Sequence, residues 1–284
     1  MLTNTFRHVR GISAAVEQRL WSAGVDCWQA CAAAETLPLT RGRAERLRRG
    51  LAESAERMAA ADARYFADSL PNPEHWRLFP EFRSAIAYLD IETTGLSAHD
   101  SYVTTVAVYD GRTVRAYVRG DNLERLGEDL AEARLLVTYN GKCFDLPFLR
   151  QSLGLHLDQA HVDLRYVLRS LGYSGGLKGC ERQLGIQRGD LEDVDGFFAV
   201  LLWEDYRRRG DPRSLETLLA YNIQDVVNLE TLLVMAYNLK LRPTPFAESN
   251  RLPLPVAPEV AFRPDRETIA RLRRDSPWQW SRWS

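Results

Sequence analysis

The stretch "AYLDIETTGL", residues 87–96, ends an apolar run with two carboxylates, Asp90 and Glu92. Successive side chains of a strand point to opposite faces, so Asp90 and Glu92 share one face with Tyr88. The apolar residues 85–89 are typical of a central strand that is covered on both sides. Two like charges at the end of such a strand repel each other unless a cation lies between them. The alternative interpretation is a solvated strand end or a pair of capping carboxylates.

The pattern around this strand predicts an α/β fold. Two β-prone runs, "YVTTVAVYDG" and "TVRAYVRG", follow it and are joined by the hairpin signal Asp110-Gly111. A helix with Asp121 as its N-cap, a strand in "RLLVTYN", a helix in "FDLPFLRQSL" and a strand in "HVDL" come next. With the helical stretches that follow, this order predicts a mixed sheet of three antiparallel strands plus parallel strands, flanked by helices.

Three regions are expected along the chain. Residues 1–78 are predicted to form a helical N-terminal region, and residues 79–240 to form the α/β domain. Residues 241–284 are predicted to be a Pro-rich strap and tail, with a short helix in "DRETIARLRRD".

Composition restricts the class of protein. The formal net charge of -1 excludes a global attraction to polyanions, so any nucleic-acid binding must come from local basic patches. The sequence shows no secretory signal and no apolar run long enough to span a bilayer. Four cysteines are too few and too scattered for a disulfide scaffold. We therefore expect a cytoplasmic protein with no membrane partner, whose oligomeric state the sequence does not determine.

Two further acidic blocks follow the first. In "LLVTYNGKCFDLPFL" a strand ends at Asn140-Gly141 and a helix begins near Asp145, which could be its N-cap or a metal ligand. In "LLAYNIQDVVNL" Tyr221 and Asp225 are four residues apart and share a helix face. The simpler interpretation of this pair is a partly buried Tyr beside a surface Asp.

Taken together, the blocks favour a metal site. The four carboxylates Asp90, Glu92, Asp145 and Asp225 are hard oxygen ligands with no His or Cys beside them. That ligand set favours Mg²⁺ or Mn²⁺ over zinc. Without a cation the clustered carboxylates would raise each other's pKa values.

The three blocks resemble the motifs of the DEDD, or DnaQ-like, superfamily of 3′–5′ exonucleases, which has a ribonuclease H-like fold. "DIETTGL" is similar to the first motif, "NGKCFD" to the second and "YNIQD" to the third. One branch places a His five residues before the last Asp, where this chain has Ala220, and the other places a Tyr four residues before it, where this chain has Tyr221. The blocks "YNGKCFDLPFL", "VDLRYVLRSLGYSGGLKGCERQLGI" and "YNIQDV" are similar to the YprB-like family of predicted bacterial exonucleases. That resemblance runs from about Phe79 to Lys240.

The resemblance implies phosphodiester hydrolysis at a 3′ end with two divalent cations and no nucleotide cofactor. Asp90 would bridge the two cations, Glu92 and Asp225 would complete the shell of the first, and Asp145 would help to hold the second. Tyr221 would orient the attacking water. Thr93, Thr94 and Leu96 are expected to line the pocket of the terminal nucleotide, with turn formation and packing as the alternative.

Two more residues are assigned to the substrate by analogy. Asn140 is expected to touch the substrate backbone or to support the second motif. Lys178 in "GGLKG" either faces the substrate phosphates or is merely solvated.

The predicted function is a metal-dependent exonuclease acting on nucleic acid, with DNA slightly favoured over RNA. The alternatives are an exoribonuclease, a structure-specific endonuclease and a nucleic-acid-binding module without catalysis.

The two ends of the chain carry weaker signals. The N-terminal stretch around Gly11-Ile12 resembles a helix-hairpin-helix, although Ser13 replaces its second glycine, and the alternative is a helical packing unit. An arginine cluster could bind phosphates or form a solvated helix face with Glu45 and Glu53, and it comprises Arg41, Arg43, Arg46, Arg48 and Arg49. The tail tryptophans Trp278, Trp280 and Trp283, with Arg282, could stack on bases or dock the terminus onto the core.

Overall fold

The structure is a computed structural model and describes residues 1–275. The tail tryptophans therefore lie outside the described residues. The N-terminal region is helical, and its α-helices are α1 Ala14–Ser22, α2 Trp28–Ala33, α3 Arg41–Ala59, α4 Ala63–Ser69 and α5 Phe79–Phe82. It also has 3₁₀ helices at Leu2–Asn4 before α1, Asn72–Leu78 before α5 and Arg83–Ala85 after α5.

Five strands form one mixed sheet in the order β3-β2-β1-β4-β5. Their bounds are β1 Ile86–Thr93, β2 Val103–Tyr109, β3 Val114–Val118, β4 Leu135–Thr138 and β5 Ala160–Asp163. Strands β1, β2 and β3 pair antiparallel, whereas β4 and β5 run parallel to β1. The expected sheet of three antiparallel and further parallel strands is confirmed. The carboxyl ends of β1, β4 and β5 consequently meet at one edge of the sheet.

Seven helices follow or separate the later strands. Their bounds are α6 Leu126–Leu130, α7 Asp145–Leu153, α8 Leu164–Arg169, α9 Gly176–Leu184, α10 Gly196–Arg209, α11 Pro212–Leu241 and α12 Arg266–Asp275. Helix α11, with 30 residues, packs across β1 and β2. None of the helices within residues 1–275 combines the length and the apolar character needed to cross a membrane.

The two faces of β1 bury different cores. Leu89 and Ile91 pack with Phe148 and Leu149 of α7 on one face. Tyr88, on the other face, belongs to a cluster that includes residues of α11 and of the N-terminal helices. Because side chains alternate along a strand, the face of Tyr88 is also the face of Asp90 and Glu92. The strand therefore aims both carboxylates at α11.

A buried ion pair joins α1 to the 3₁₀ helix Asn72–Leu78, which directly precedes α5. Glu17 of α1 accepts a hydrogen bond from Nη2 of Arg77 at 3.0 Å, and both side chains are buried. The second carboxylate oxygen of Glu17 accepts bonds from Thr5 Oγ1 at 2.6 Å and from the backbone N–H of Phe6 at 2.8 Å. The hydrogen bonds to both oxygens compensate for burying the charge. Gly11 has a φ of 92°, as the turn before α1 requires, and Ser13 caps α1 by accepting from Val16.

The arginine cluster on α3 shows two kinds of contact. Arg41 pairs with Glu45 at 3.1 Å, and Arg48 donates to the carbonyl of Ala34 at 2.5 Å. Glu53 lies 3.9 Å from Arg57, which is outside the cluster. The cluster is thus in part a helix face with its own partners.

The expected N-cap role of Asp121 is wrong. A 3₁₀ turn at Leu123–Arg125 precedes α6, and α6 spans only Leu126–Leu130. Asn122 is the residue that closes the connection, because its Oδ1 accepts from the backbone N–H of Val118 at 2.7 Å and its Nδ2 donates to the carbonyl of Ala116. Local propensity for a longer helix is overridden here by this turn chemistry.

Candidate active site

The carboxylates of Asp90, Glu92 and Asp225 converge at the carboxyl end of β1. One oxygen from each lies within 4.8 Å of the others. Glu92 and Asp225 are buried, and Asp90 is half-buried. A register irregularity between Glu92 and Thr93 ends the regular pairing of β1 with β2 immediately after the two acids. The cluster contains three of the four carboxylates that the sequence singled out.

Helix α11 supplies the third acid and fixes its distance from the strand. Tyr221 and Asp225 lie one turn apart, and burial and then the charge of Asp225 raise the pKa of the phenol. Between them in sequence, Asn222 donates through Nδ2 to Asp90 Oδ2 at 2.7 Å and to the carbonyl oxygen of Asp90 at 3.2 Å. The side-chain oxygen of Asn222 accepts from Thr105 Oγ1 of β2 at 3.2 Å. Asn222 therefore joins α11 to both central strands at the level of the acids.

Asp145 lies beside this group but outside the 4.8 Å cluster. It is the first residue of α7 and is buried, whereas the N-cap position is occupied by Phe144. The N-cap interpretation of Asp145 is therefore wrong. Its negative charge is close enough to raise the pKa values of Asp90 and Glu92. The structure thus brings all four predicted carboxylates to one edge of the sheet.

Burial and mutual repulsion raise the pKa values of these acids. The pKa of Asp90 and that of Glu92 are raised well above the usual range, first by desolvation and then by the charges of Asp225 and Asp145. Burial raises the pKa of Asp145 to about 7, although backbone hydrogen bonds at Asp145 and Ile91 oppose the shift. Each acid is thus held where its ionised form is unfavourable without a compensating positive charge.

Arg188 provides one such positive charge. Its Nη1 donates to Asp225 Oδ1, and its Nε donates to Glu181 Oε2 at 2.5 Å. Glu181 also accepts from Asn228 Nδ2 at 2.8 Å. The side chains of Arg188, Glu181 and Asp225 are each less than a tenth exposed. Within residues 1–275 the Nη2 atom of Arg188 is buried with no hydrogen-bond partner.

Lys178 is not the solvated residue that the sequence analysis considered. Its ammonium donates to the carbonyls of Val194 and Glu192, the latter at 3.2 Å. It lies 5.6 Å from the centre of the Tyr221 ring. Burial lowers the pKa of Lys178, and the charge of Arg188 contributes to the shift. Lys178 is thus half-buried beside Tyr221 and is bound to backbone carbonyls of the segment before α10.

The other predicted substrate residues differ in their surroundings. Thr93 is buried and donates to the carbonyl of Gly95 at 2.6 Å, and Thr94 Oγ1 accepts from the backbone N–H of Tyr102 at 3.1 Å. Both threonines thus shape the turn after β1. Leu96 is 66% exposed, an unusual position for a large apolar side chain. Asn140, with a φ of 67°, accepts through Oδ1 from Arg165 Nη1.

Sequence reasoning missed Asn222, Arg188 and Glu181. Asn222 had a detectable signal, since a polar residue on the apolar face of a buried helix needs a partner. Arg188 and Glu181 had none, because they are charged residues with no spacing relation to the acidic motifs.

A divalent cation fits the donor set of this cluster. The three converging ligands are carboxylate oxygens, which Mg²⁺ and Mn²⁺ favour over softer ligands. A cation would also relieve the repulsion that raises the pKa values of the acids. Asp90, Glu92 and Asp225 are the residues that would hold the cation. Asp145, the fourth predicted acid, lies beside them.

The fold and the acidic cluster together are those of a ribonuclease H-like protein. The family model RNase_H_2, of the RNase_H superfamily, matches residues 87–237. This match covers more than half of the chain, and the chain belongs to the RNase_H superfamily. The matched span begins in β1 and ends in α11, so it includes all four acids.

The chain is similar to a bacterial protein along about half of its length. The chain is 29% identical over 174 residues to the uncharacterized protein YprB of Bacillus subtilis (strain 168), a match that covers 54% of this chain and 42% of the relative. The chain thus spans about two fifths of the length of that relative. The resemblance to a YprB-like family is confirmed.

Two solved structures are more distant. The family B DNA polymerase of the archaeon Pyrobaculum calidifontis is 18% identical with a TM-score of 0.41, and the match covers 56% of this chain and 24% of that chain. Brucella melitensis NrnC with bound Mg²⁺ is 17% identical with a TM-score of 0.41, and the match covers 72% of this chain and 90% of that chain.

The raised pKa of Asp145 predicts a pH-dependent stability of the metal-free chain. An unperturbed Asp has a pKa of about 4, so the folded chain binds the proton more tightly than the unfolded chain. The resulting stabilisation is present below about pH 4 and is lost as the pH rises through about 7. In EDTA, the urea midpoint of the wild type should fall further between about pH 5 and about pH 8 than that of Asp145→Asn. Parallel losses in the two proteins would contradict this prediction, and Mn²⁺ should restore the wild-type midpoint more at the higher pH.

Removing Arg188 should destabilise the folded chain. Arg188→Met leaves two buried carboxylates, Glu181 and Asp225, without their shared cation, which should cost about 3–5 kcal/mol in free energy of unfolding. The control is Arg208→Met, which removes an ion pair with Glu204 whose arginine is 76% exposed and should change the free energy by less than about 1 kcal/mol. Denaturant titration measures both values. Equal effects of the two substitutions would show that the buried pairs do not stabilise the fold.

Proposed function

We propose that the chain is a metal-dependent 3′–5′ exonuclease that hydrolyses phosphodiester bonds of nucleic acid. One observation carries the proposal: single oxygens of Asp90, Glu92 and Asp225 lie within 4.8 Å of one another, with Tyr221 one helical turn from Asp225. Membership of the RNase_H superfamily supports it. The order of the acids along the chain and the Tyr before the last one also match the Tyr branch of the exonuclease motifs.

The carboxylates would act as the metal ligands. Asp90, Glu92 and Asp225 would hold one divalent cation, and Asp145 would contribute with Asp90 to holding a second. The chemistry supplied by bound cations is Lewis-acid stabilisation of the negative charge that develops on the scissile phosphate. Asn222 would keep Asp90 in place through its two hydrogen bonds, and Arg188 would do the same for Asp225.

Tyr221 would orient the attacking water by a hydrogen bond. Its pKa is raised well above the ordinary phenol value by burial and by the charges of Asp225 and Glu92. The phenol of the metal-free chain therefore stays protonated near neutral pH. Positioning is the role that remains for a protonated hydroxyl beside the metal ligands.

A nuclease assay tests the proposal. The full chain is incubated with 3′- and 5′-labelled single- and double-stranded DNA and RNA in Mg²⁺, Mn²⁺ or EDTA. We expect release of mononucleotides from the 3′ end, dependence on the cation and loss of activity in Asp90→Asn. Glu216→Gln, an exposed carboxylate of α11, is the matched control and should keep its activity.

Other products would point to other functions. Internal fragments from a substrate with a blocked 3′ end would indicate an endonuclease. Degradation of RNA alone would indicate an exoribonuclease. Binding with no cleavage under any cation would indicate a nucleic-acid-binding module, and product release that survives Asp90→Asn would contradict the assignment of the site.

Tyr221→Phe should separate catalysis from metal binding. Losing the hydroxyl should lower kcat about a hundredfold, because a water held in the wrong place reacts slowly. The affinity for Mn²⁺, measured by calorimetry, should stay within about twofold, because the phenol is not one of the carboxylate ligands. Full turnover in Tyr221→Phe would show that Tyr221 does not position the water.

A further inference from the structure

We propose that a groove beside the acidic cluster binds the single-stranded segment that leads to the 3′ end of the substrate. The inference rests on the proposed function and names its substrate class. The groove, called here the α8–α9 groove, has a volume of about 590 Å³. The lining residues that matter for the argument are Tyr139, Asn140, Arg165, Arg169, Tyr173 and the pair Gly175-Gly176.

The topology of the sheet places this groove at the edge that carries the acids. Tyr139 and Asn140 follow the carboxyl end of β4, and Arg165 lies in α8, which follows the carboxyl end of β5. Both strands run parallel to β1, so their carboxyl ends meet at the edge where Asp90 and Glu92 lie. A strand whose 3′ end reaches the acids can therefore continue into the groove.

The groove carries two arginines that form no ion pair with any acid of residues 1–275. Arg165 and Arg169 are exposed and four residues apart on α8, so they share a face with Cβ atoms about 5–6 Å apart. No carboxylate within residues 1–275 comes within 4.0 Å of either guanidinium. Asp163 lies nearby, but its oxygens accept from the backbone N–H groups of Asn140 at 2.8 Å and Lys142 at 3.1 Å. Arg165 Nη1 donates to Asn140 Oδ1, and the other N–H groups of the two guanidinium groups are available to successive phosphates of one strand.

Two tyrosines line the groove with aromatic rings on which bases can stack. Tyr139 and Tyr173 are each partly buried, with one part of the side chain packed against the core and the rest lining the groove. The hydroxyl of Tyr139 lies 3.6 Å from Cys180 Sγ, which holds the ring in place. Stacking on aromatic side chains is how proteins bind single strands without reading their sequence.

The glycine pair at the start of α9 completes the site. Gly175 and Gly176 have φ values of 95° and 74°, which side chains other than Gly rarely adopt. The chain therefore enters α9 with exposed backbone and no Cβ atoms facing the groove. Two residues further along, Lys178 lies 5.6 Å from the ring of Tyr221. The first turn of α9 thus connects the groove to the acidic cluster.

The chemistry of the groove selects a single strand. Base faces are free to stack on Tyr139 and Tyr173 only where bases are unpaired, since a duplex buries them against each other. The arginines contact phosphates in either form, so the tyrosines decide the preference. A substrate that fills the groove and reaches the acids would therefore need several unpaired nucleotides at its 3′ end.

The test is equilibrium binding of the full chain in EDTA, which prevents turnover, to a fluorescent DNA strand of about ten nucleotides. The double variant Arg165→Ala/Arg169→Ala should bind at least tenfold more weakly than the wild type. Its plot of log affinity against log salt should be flatter by about 1.4, since each phosphate contact contributes about 0.7 in single strands. Arg112→Ala is the matched control, because Arg112 is exposed at the β2–β3 hairpin, at the opposite end of the sheet.

Tyr173 provides a second variant that does not depend on charge. Tyr173→Ala should lower the affinity at least fivefold, whereas Tyr173→Phe keeps the ring and should bind within twofold of the wild type. We expect neither substitution to change the slope of log affinity against log salt concentration. If Tyr173→Ala binds the strand as tightly as the wild type does, the proposal that bases stack on Tyr173 is wrong.

The results separate this proposal from the proposed function. If the double arginine variant binds the strand as tightly as Arg112→Ala does, the proposed role of the groove is wrong, even if the wild type releases nucleotides. Weakened binding in the groove variants supports the groove even if the wild type cleaves nothing, in which case the exonuclease proposal fails alone. A blunt duplex of the same sequence that binds as tightly as the single strand would overturn the assignment to unpaired ends.

Discussion

The repulsion among buried carboxylates at the end of β1 is the constraint on which the site depends. A strand and a helix bring Asp90, Glu92 and Asp225 together, and burial raises the pKa of each, with the neighbouring acids adding to the rise for Asp90 and Glu92. Apolar side chains of β1 and α11 pack against the core at other positions of the two elements. This packing holds the acids together despite their repulsion. Asn222 and Arg188 then hold two of the acids by direct hydrogen bonds. Of these three acids, Arg188 offsets the charge of Asp225 alone by direct contact, and a divalent cation would offset the charges of Asp90 and Glu92 as well.

Helix α11 transmits this constraint to the rest of the molecule. It packs on β1 and β2, and it carries Tyr221, Asn222 and Asp225 within little more than one turn. Asn222 fixes the helix to the strands at one height, so a shift of α11 along its axis would separate Asp225 from Glu92. The second face of β1 buries α7, whose first residue is Asp145. One strand thereby positions both helices that bring acids to the site.

Much of the site could be predicted from sequence because its spacing rules are local. The alternation of a strand placed Asp90 and Glu92 on one face, and the turn of a helix placed Tyr221 above Asp225. The N-cap at Asp121 was wrong because a 3₁₀ turn held by Asn122 replaced the first helical turn. Only the structure shows that the ammonium of Lys178 binds carbonyls of a segment that follows it in the chain. Contacts of that kind have no local signature.

The sequence by itself determined that Asp90 and Glu92 share one face of a strand and that Tyr221 and Asp225 share one face of a helix, because each relation follows from the period of one element. Only the tertiary structure decided that Asp145 stands apart from the other three acids. It also decided that Arg188 and Glu181 support Asp225, and that Arg165 and Arg169 open onto a groove. These relations join residues from separate elements, and the distance between separate elements is set by packing of the whole core.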